Sequence, residues 1–184
     1  MSRHRSWERY LTFVVFCGVL SGCAYQRTAE DLFILQRYDD SIRKIMEDDG
    51  DEVGDVNDSD YVLHNMRLGS CELYSGNYRQ ADKHFGRATS LVDSSIGTGR
   101  GVVSVALWES SKYFKGETYE RAALYYYRGL TNYLAGKADV ARASFRNALL
   151  TDKQSKAEDK QEDNAGVFYM LARSFLAEGD TQNA

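Results

Sequence analysis

The sequence predicts an all-α protein built from helical hairpins, and three observations carry that prediction. The chain contains no proline, the residue that breaks helix interiors. Long segments place their apolar residues at helical spacing. Three segments align without gaps: "VLHNMRLGSCELYSGNYRQADKHFGRATSLV" from Val62, "AALYYYRGLTNYLAGKADVARASFRNALLTD" from Ala122 and "AGVFYMLARSFLAEGDTQNA" from Ala165.

The first element reads as a targeting segment. Arg3, Arg5 and Arg9 precede the apolar run Leu11 to Leu20 and the small residues Ser21 and Gly22, the three parts of a secretory signal. Ten apolar residues rise only about 15 Å as a helix, half of the roughly 30 Å bilayer core, so a spanning helix is not expected. Leu20-Ser21-Gly22-Cys23 resembles the lipobox of bacterial lipoproteins. That resemblance implies cleavage after residue 22 and lipid on the Cys23 sulfur, with several acyl chains giving a firm membrane anchor. Ala24 stands where an Asp would favour inner-membrane retention, so the implied address is the cell envelope, facing the periplasm, at the outer membrane. An uncleaved anchor and plain secretion are the alternatives.

Without residues 1–22 the chain keeps 20 basic and 26 acidic side chains, a net charge of about −6. Such a balance repels phosphate backbones and argues against nucleic acid as a partner. Cys17 leaves with the signal and Cys23 is the acylation site, so Cys71 remains alone and no internal disulfide is expected.

Residues 23–60 read as an anchor segment, one N-terminal packing helix and an acidic linker. Thr28 and Asp31 are placed to cap a helix that runs from Thr28 to Met46. Within it "RYDDSIRKI" puts Tyr38, Ser41 and Ile45 in the register of Tyr78, Ala81 and Phe85. The following "EDDGDEVGDVNDSD", residues 47–60, holds eight carboxylates in fourteen positions. Asp49, Asp51 and Gly54 fit the start of a calcium loop, but Val53 and Asp60 fill positions that need an oxygen ligand and a bidentate Glu. The stretch therefore reads as a solvated, flexible linker.

Residues 61–184 form the hairpin domain, with an insertion at 94–121 containing "GTGRG" and a further helical candidate, "VVSVALWESSKYF". Counting from the first residue of each segment, position 8 is Gly69, Gly129 and Ala172, position 15 is Gly76, Gly136 and Gly179, and position 20 is Ala81, Ala141 and Ala184. Phe85 and Phe145 share position 24. Small residues at 8 and 20 let paired helices approach, glycine at 15 ends the first helix with φ > 0, and Phe fills the gap between repeats. The pattern resembles the tetratricopeptide repeat (TPR), which implies an α-solenoid of helix-turn-helix units. Arg128 at position 7, together with Glu72 and Asn132 at position 11, departs from it. So does the uneven spacing of the units. Residues 152–164 are charged and read as a helix extension or solvated loop.

The order of features also resembles an uncharacterised family of bacterial lipoproteins with TPR-like helices. The lipobox, "DYVLHNMRLGSCELYSGNYRQAD", "YFKGETYERAALYYYRGLTNYLAGKADVARASF" and "EDNAGVFYMLARSFLAEGDTQNA" carry the likeness. It brings no established activity. In that family the chain continues, whereas Ala184 falls where the third unit's second helix should begin. Either the chain is truncated, or another surface covers the face of Phe168, Leu171 and Phe175.

The TPR resemblance implies a concave groove lined by positions 2, 5, 9, 12 and 13 of each first helix. Its partner-binding candidates are Leu63, Met66 and Leu73 from the first unit, Tyr126, Leu130 and Tyr133 from the second, and Tyr169 and Arg173 from the third. Ser70, Tyr74, Ala123, Leu134, Gly166, Leu176 and Ala177 complete the lining. The Asn, Lys and Arg set that clamps a C-terminal carboxylate is missing. Two readings follow: the insertion or the N-terminal helix fills the groove, or it takes an amphipathic helix or extended peptide from another envelope protein. His64, Cys71 and His84 have the elements of a metal or thiol site, but ordinary helix packing explains their spacing. "GTGRG" lacks the Lys-Ser/Thr of a phosphate loop. No catalytic arrangement, metal set or cofactor motif stands out. The sequence therefore predicts a tethered binding scaffold rather than an enzyme.

Overall fold

Four turns of one kind shape the described residues. The computed structural model describes residues 27–50, 54–56, 58–97, 118–153 and 164–184. Among these lie seven helices and no strand: α1 (Ala29–Ile34), α2 (Tyr38–Asp49), α3 (Tyr61–Tyr74), α4 (Tyr78–Gly97), α5 (Thr118–Leu134), α6 (Ala138–Asp152) and α7 (Ala165–Leu176). The targeting segment, Cys23, the insertion helix at 102–114 and most of residues 152–164 lie outside the described residues. The insertion's flanks, Ser94 to Gly97 and Thr118 to Arg121, are helical and belong to α4 and α5.

Gly76, Gly136 and Gly179 have φ of 86°, 77° and 77°. Each donates its N–H three residues back, while the next residue donates five back: Asn77 to Glu72 O, Lys137 to Asn132 O, and Asp180 to Phe175 O. This is the Schellman motif, which satisfies the last carbonyls of a helix and needs a residue at ease with φ > 0. The same pair of bonds recurs at Gln36, whose N–H reaches Phe33 O while Arg37 N–H reaches Leu32 O. Gln36 has φ 58° without being glycine. The expected single helix from Thr28 to Met46 is therefore two helices, α1 and α2, folded back on each other. The N-terminal cap forms as expected, with Thr28 Oγ1 accepting from Asp31 N–H and the Asp31 carboxylate accepting from Thr28 N–H.

The helices pack in chain order, each on the next, with α3 also reaching α5 and α5 reaching α7. Phe85 and Phe145 are fully buried and lie on the glycines of the preceding helix. A Cβ built on Gly69 would sit 2.9 Å from Phe85 Cε1, and one on Gly129 would sit 2.6 Å from Phe145 Cε1. Glycine is required here for close approach. The two rings thus act mainly inside a hairpin, although Phe85 also stacks on Tyr127 of α5 with centroids 6.4 Å apart. Truncating a ring so enclosed costs about 3–5 kcal/mol.

Two departures from the repeat pattern, Arg128 and Asn132, have a structural reason. Asp82 on α4 accepts from Asn132 Nδ2 at 2.8 Å and from Arg128 Nε at 3.4 Å. Arg128 Nη1 also donates to Thr89 Oγ1 at 2.7 Å. These polar residues join α5 to α4, and Tyr125 adds a hydrogen bond to the Asp93 carboxylate. Phe175 is not left uncovered: it is buried, with the guanidinium carbons of Arg142 and Arg146 at 4.8 and 5.5 Å from its ring centre. Leu171 packs against the Phe145 cluster, while Phe168 remains exposed. No helix among the described residues is long and apolar enough to cross a membrane.

Candidate functional site

The hairpin of α1 and α2 lies against α3, and between them opens a cavity of about 490 Å³. Phe33 and Ile34 of α1, Leu63, Met66 and Tyr74 of α3, and Tyr127 of α5 supply its apolar wall. The spacing on α3 explains the lining: Leu63, Met66, Ser70 and Tyr74 recur at three or four residues and so share one helical face. Leu63 and Tyr74 keep 44% and 53% of their surface exposed, so the cavity opens to solvent. Aromatic contacts fix one end. Phe33 meets Tyr38 and Tyr74 edge-on at 5.4 Å each, and Tyr38 stacks on Tyr74 at 5.9 Å.

Polar groups stand on one side of the same wall. Arg67 donates to Glu30 at 2.6 Å and to Asp49 at 3.1 Å, tying α3 to both helices of the first hairpin. A backbone hydrogen bond, with help from Arg67 and Thr28, holds the Glu30 carboxyl below its ordinary range. Cys71 reaches the cavity lining too, but burial pushes its thiol pKa up. Its Sγ lies 3.4 Å from Ser41 Oγ, and a protonated buried thiol is a poor nucleophile.

The eight sequence-predicted binding residues do not form one wall. Leu63 and Met66 line the cavity. Leu73 is only 5% exposed and belongs to the core with Val62 and Ala81, so its assignment to the groove is corrected. Leu73 turns toward the partner helix of its own hairpin, whereas Tyr74, one residue on, faces the opening. Leu130 is half-buried against that core, and Tyr126 packs on Phe145 with ring centres 6.0 Å apart. Tyr127, rather than Tyr126, reaches the cavity. Tyr133, Tyr169 and Arg173 form a separate shelf on α5 and α7, where Arg173 Nε donates to Tyr133 Oη at 3.3 Å. Its guanidinium lies 6.0 Å from the Tyr169 ring centre. Sequence reasoning missed Phe33 and Ile34 as lining residues. The register of Tyr38 with Tyr78 was the signal that another turn, and hence another helix, precedes it.

His64, Cys71 and His84 are not brought together. His64 turns to Asp49 and Asp58, Cys71 to Ser41, and His84 to Asn65 Oδ1 at 3.1 Å. The acidic stretch is accordingly more than a solvated linker, because two of its carboxylates fold onto the start of α3. No protein-family model, curated protein or solved structure matches this chain.

Proposed function

We propose that this chain is a lipid-tethered scaffold of TPR-like helical hairpins that holds an apolar segment of another cell-envelope protein. The observation that carries the reading is the open cavity walled by Phe33, Ile34, Leu63, Met66, Tyr74 and Tyr127. Its volume falls within the 300–1,000 Å³ typical of binding clefts, and exposed apolar surface of this kind marks interaction sites. Repeated Schellman turns and the Gly–Phe contacts support the TPR-like reading of the hairpins. Leu63, Met66 and Tyr74 offer the anchor pockets that an amphipathic helix or extended peptide uses, while Glu30 and Arg67 give it a polar edge.

The anchor sets the location. Ala29 follows Cys23 by six positions, which extend to about 20 Å at most, so a lipid on Cys23 would keep α1 and its cavity close to the membrane surface. The alternative, a structural envelope lipoprotein with a self-filled groove, draws on Phe33, which already occupies the Tyr38–Tyr74 end.

A photo-crosslinking group at position 63 or 74, in membranes, tests the proposal. Capture of the same envelope protein from both positions, absent with the group at exposed Arg79 on α4 and lost in Met66→Asp, is the expected result. No capture, or equal capture from Arg79, overturns it. Circular dichroism of the Met66→Asp chain separates lost binding from lost fold.

A further inference from the structure

His64 is 5% exposed, and neither of its ring nitrogens makes a hydrogen bond. Burying polar atoms without partners is unfavourable, so the ring's surroundings call for a reason. Asp49 Oδ2 stands 2.8 Å from Nδ1, close but out of line for a hydrogen bond. On the other side Asp58 Oδ1 lies 3.6 Å from Nε2. One ring nitrogen of His64 and one oxygen each of Asp58 and Asp60 lie within 4.8 Å of one another.

Three further features suit this group to a cation. Asp60 is the N-cap of α3, yet its side chain makes no capping hydrogen bond, the usual employment of an Asp there. Asp58 is held in place because its Oδ1 accepts from Asp60 N–H at 2.7 Å. Asp49 is paired with Arg67 at 3.1 Å, whereas Asp58 and Asp60 have no Lys or Arg partner among the described residues. Two negative charges and a buried imidazole thus converge at the junction between the acidic stretch and α3.

We propose that His64, Asp58 and Asp60 bind one divalent transition cation of the zinc class. Imidazole selects borderline first-row metals over Mg²⁺ and Ca²⁺, which prefer all-oxygen sites. Ligands at about 2.1 Å from one ion stand roughly 3.4 Å apart in a tetrahedron; Asp58 Oδ1 is already near that spacing from Nε2 at 3.6 Å, and rotation of the exposed Asp60 carboxylate closes the site. Water supplies the remaining position on the exposed side of Asp60. Metal on Nε2 leaves the proton on Nδ1 beside the Asp49 carboxylate, and a small turn of that carboxylate brings it into line to orient the ring as outer-shell carboxylates do. The ion would then staple the end of α2 and the linker to α3, independently of any occupant of the cavity.

Calorimetric titration of the metal-free full chain with ZnCl₂ tests this. One saturable ion is expected at this site. Asp58→Asn and Asp60→Asn, which preserve shape, should each weaken it at least about tenfold, and Asp49→Asn should weaken it about 10- to 100-fold. His64→Gln should abolish it, while His84→Gln leaves it unchanged. The thermal midpoint of the metal-free variants confirms that the fold is retained. Absence of saturable Zn²⁺ binding, or binding indifferent to Asp58→Asn and Asp60→Asn, overturns the site. Equal affinity for Ca²⁺ overturns the metal class.

Discussion

Adding a single methyl group at Gly129 sets two effects against each other. Alanine favours a helix interior over glycine by about 1 kcal/mol. The new Cβ, however, would meet Phe145 Cε1 at 2.6 Å and Cδ1 at 2.7 Å, and about 0.9 Å must open before carbon atoms reach favourable contact near 3.5 Å. Phe145 is fully buried, and overpacking of such a core costs about 1–3 kcal/mol. Gly129→Ala should therefore destabilise by about 0–2 kcal/mol after the helix gain is subtracted. In a Phe145→Leu background the overlap is relieved, and the same alanine should stabilise by about 1 kcal/mol. Urea unfolding of the four chains, followed by circular dichroism, gives the coupling energy, expected at about 1–3 kcal/mol. A coupling near zero, or an alanine that stabilises equally in both backgrounds, would refute the claim that ring and glycine are packed as one unit.

Gln36→Gly should stabilise by up to about 1 kcal/mol, because removal of left-handed strain worth about 1–2 kcal/mol exceeds the entropy cost of glycine; denaturant midpoints check it. Asp82→Ala should cost about 1–3 kcal/mol by leaving Asn132 and Arg128 short of a partner, against about 0.5 kcal/mol or less for exposed Asp139→Ala. Burial, aided by Arg87 and Lys83, lowers the His84 pKa from 6.5 to about 4. The unfolded chain thus binds the extra proton between those values, so this contribution is intact above pH 6.5 and lost as pH falls toward 4. The loss should be about 1–2 kcal/mol after discounting the ring's partial exposure, and His84→Gln should remove that part of the pH dependence in urea titrations at pH 4.5 and 7.

Local chemistry was the most legible part of the fold. Gly76, Gly136 and Gly179 each occupy a turn that favours glycine, and Gly69 and Gly129 each face a Phe sixteen residues on. The turn at Gln36 was hidden because the usual residue is missing, although Tyr38, Ser41 and Ile45 already carried the register of the later hairpin. The cavity was harder to read. Adjacent side chains on a helix point about 100° apart, so a rotation of one position decides between Tyr126 and Tyr127, or between Leu73 and Tyr74. The approach of Asp49 and Asp58 to His64 depends on how the acidic stretch meets the start of α3, which no short-range pattern encodes.

Among the described residues each helix packs mainly on its sequence neighbours, a pattern of low contact order. Chains of this kind close short loops first and fold quickly, and they open in contiguous blocks rather than all at once. The α1–α2 pair forms one side of the cavity and is expected to open as one such block. Its opening would change the size of the mouth without melting the core around Phe85, and amide exchange should show faster protection loss at Leu32 than at Phe85.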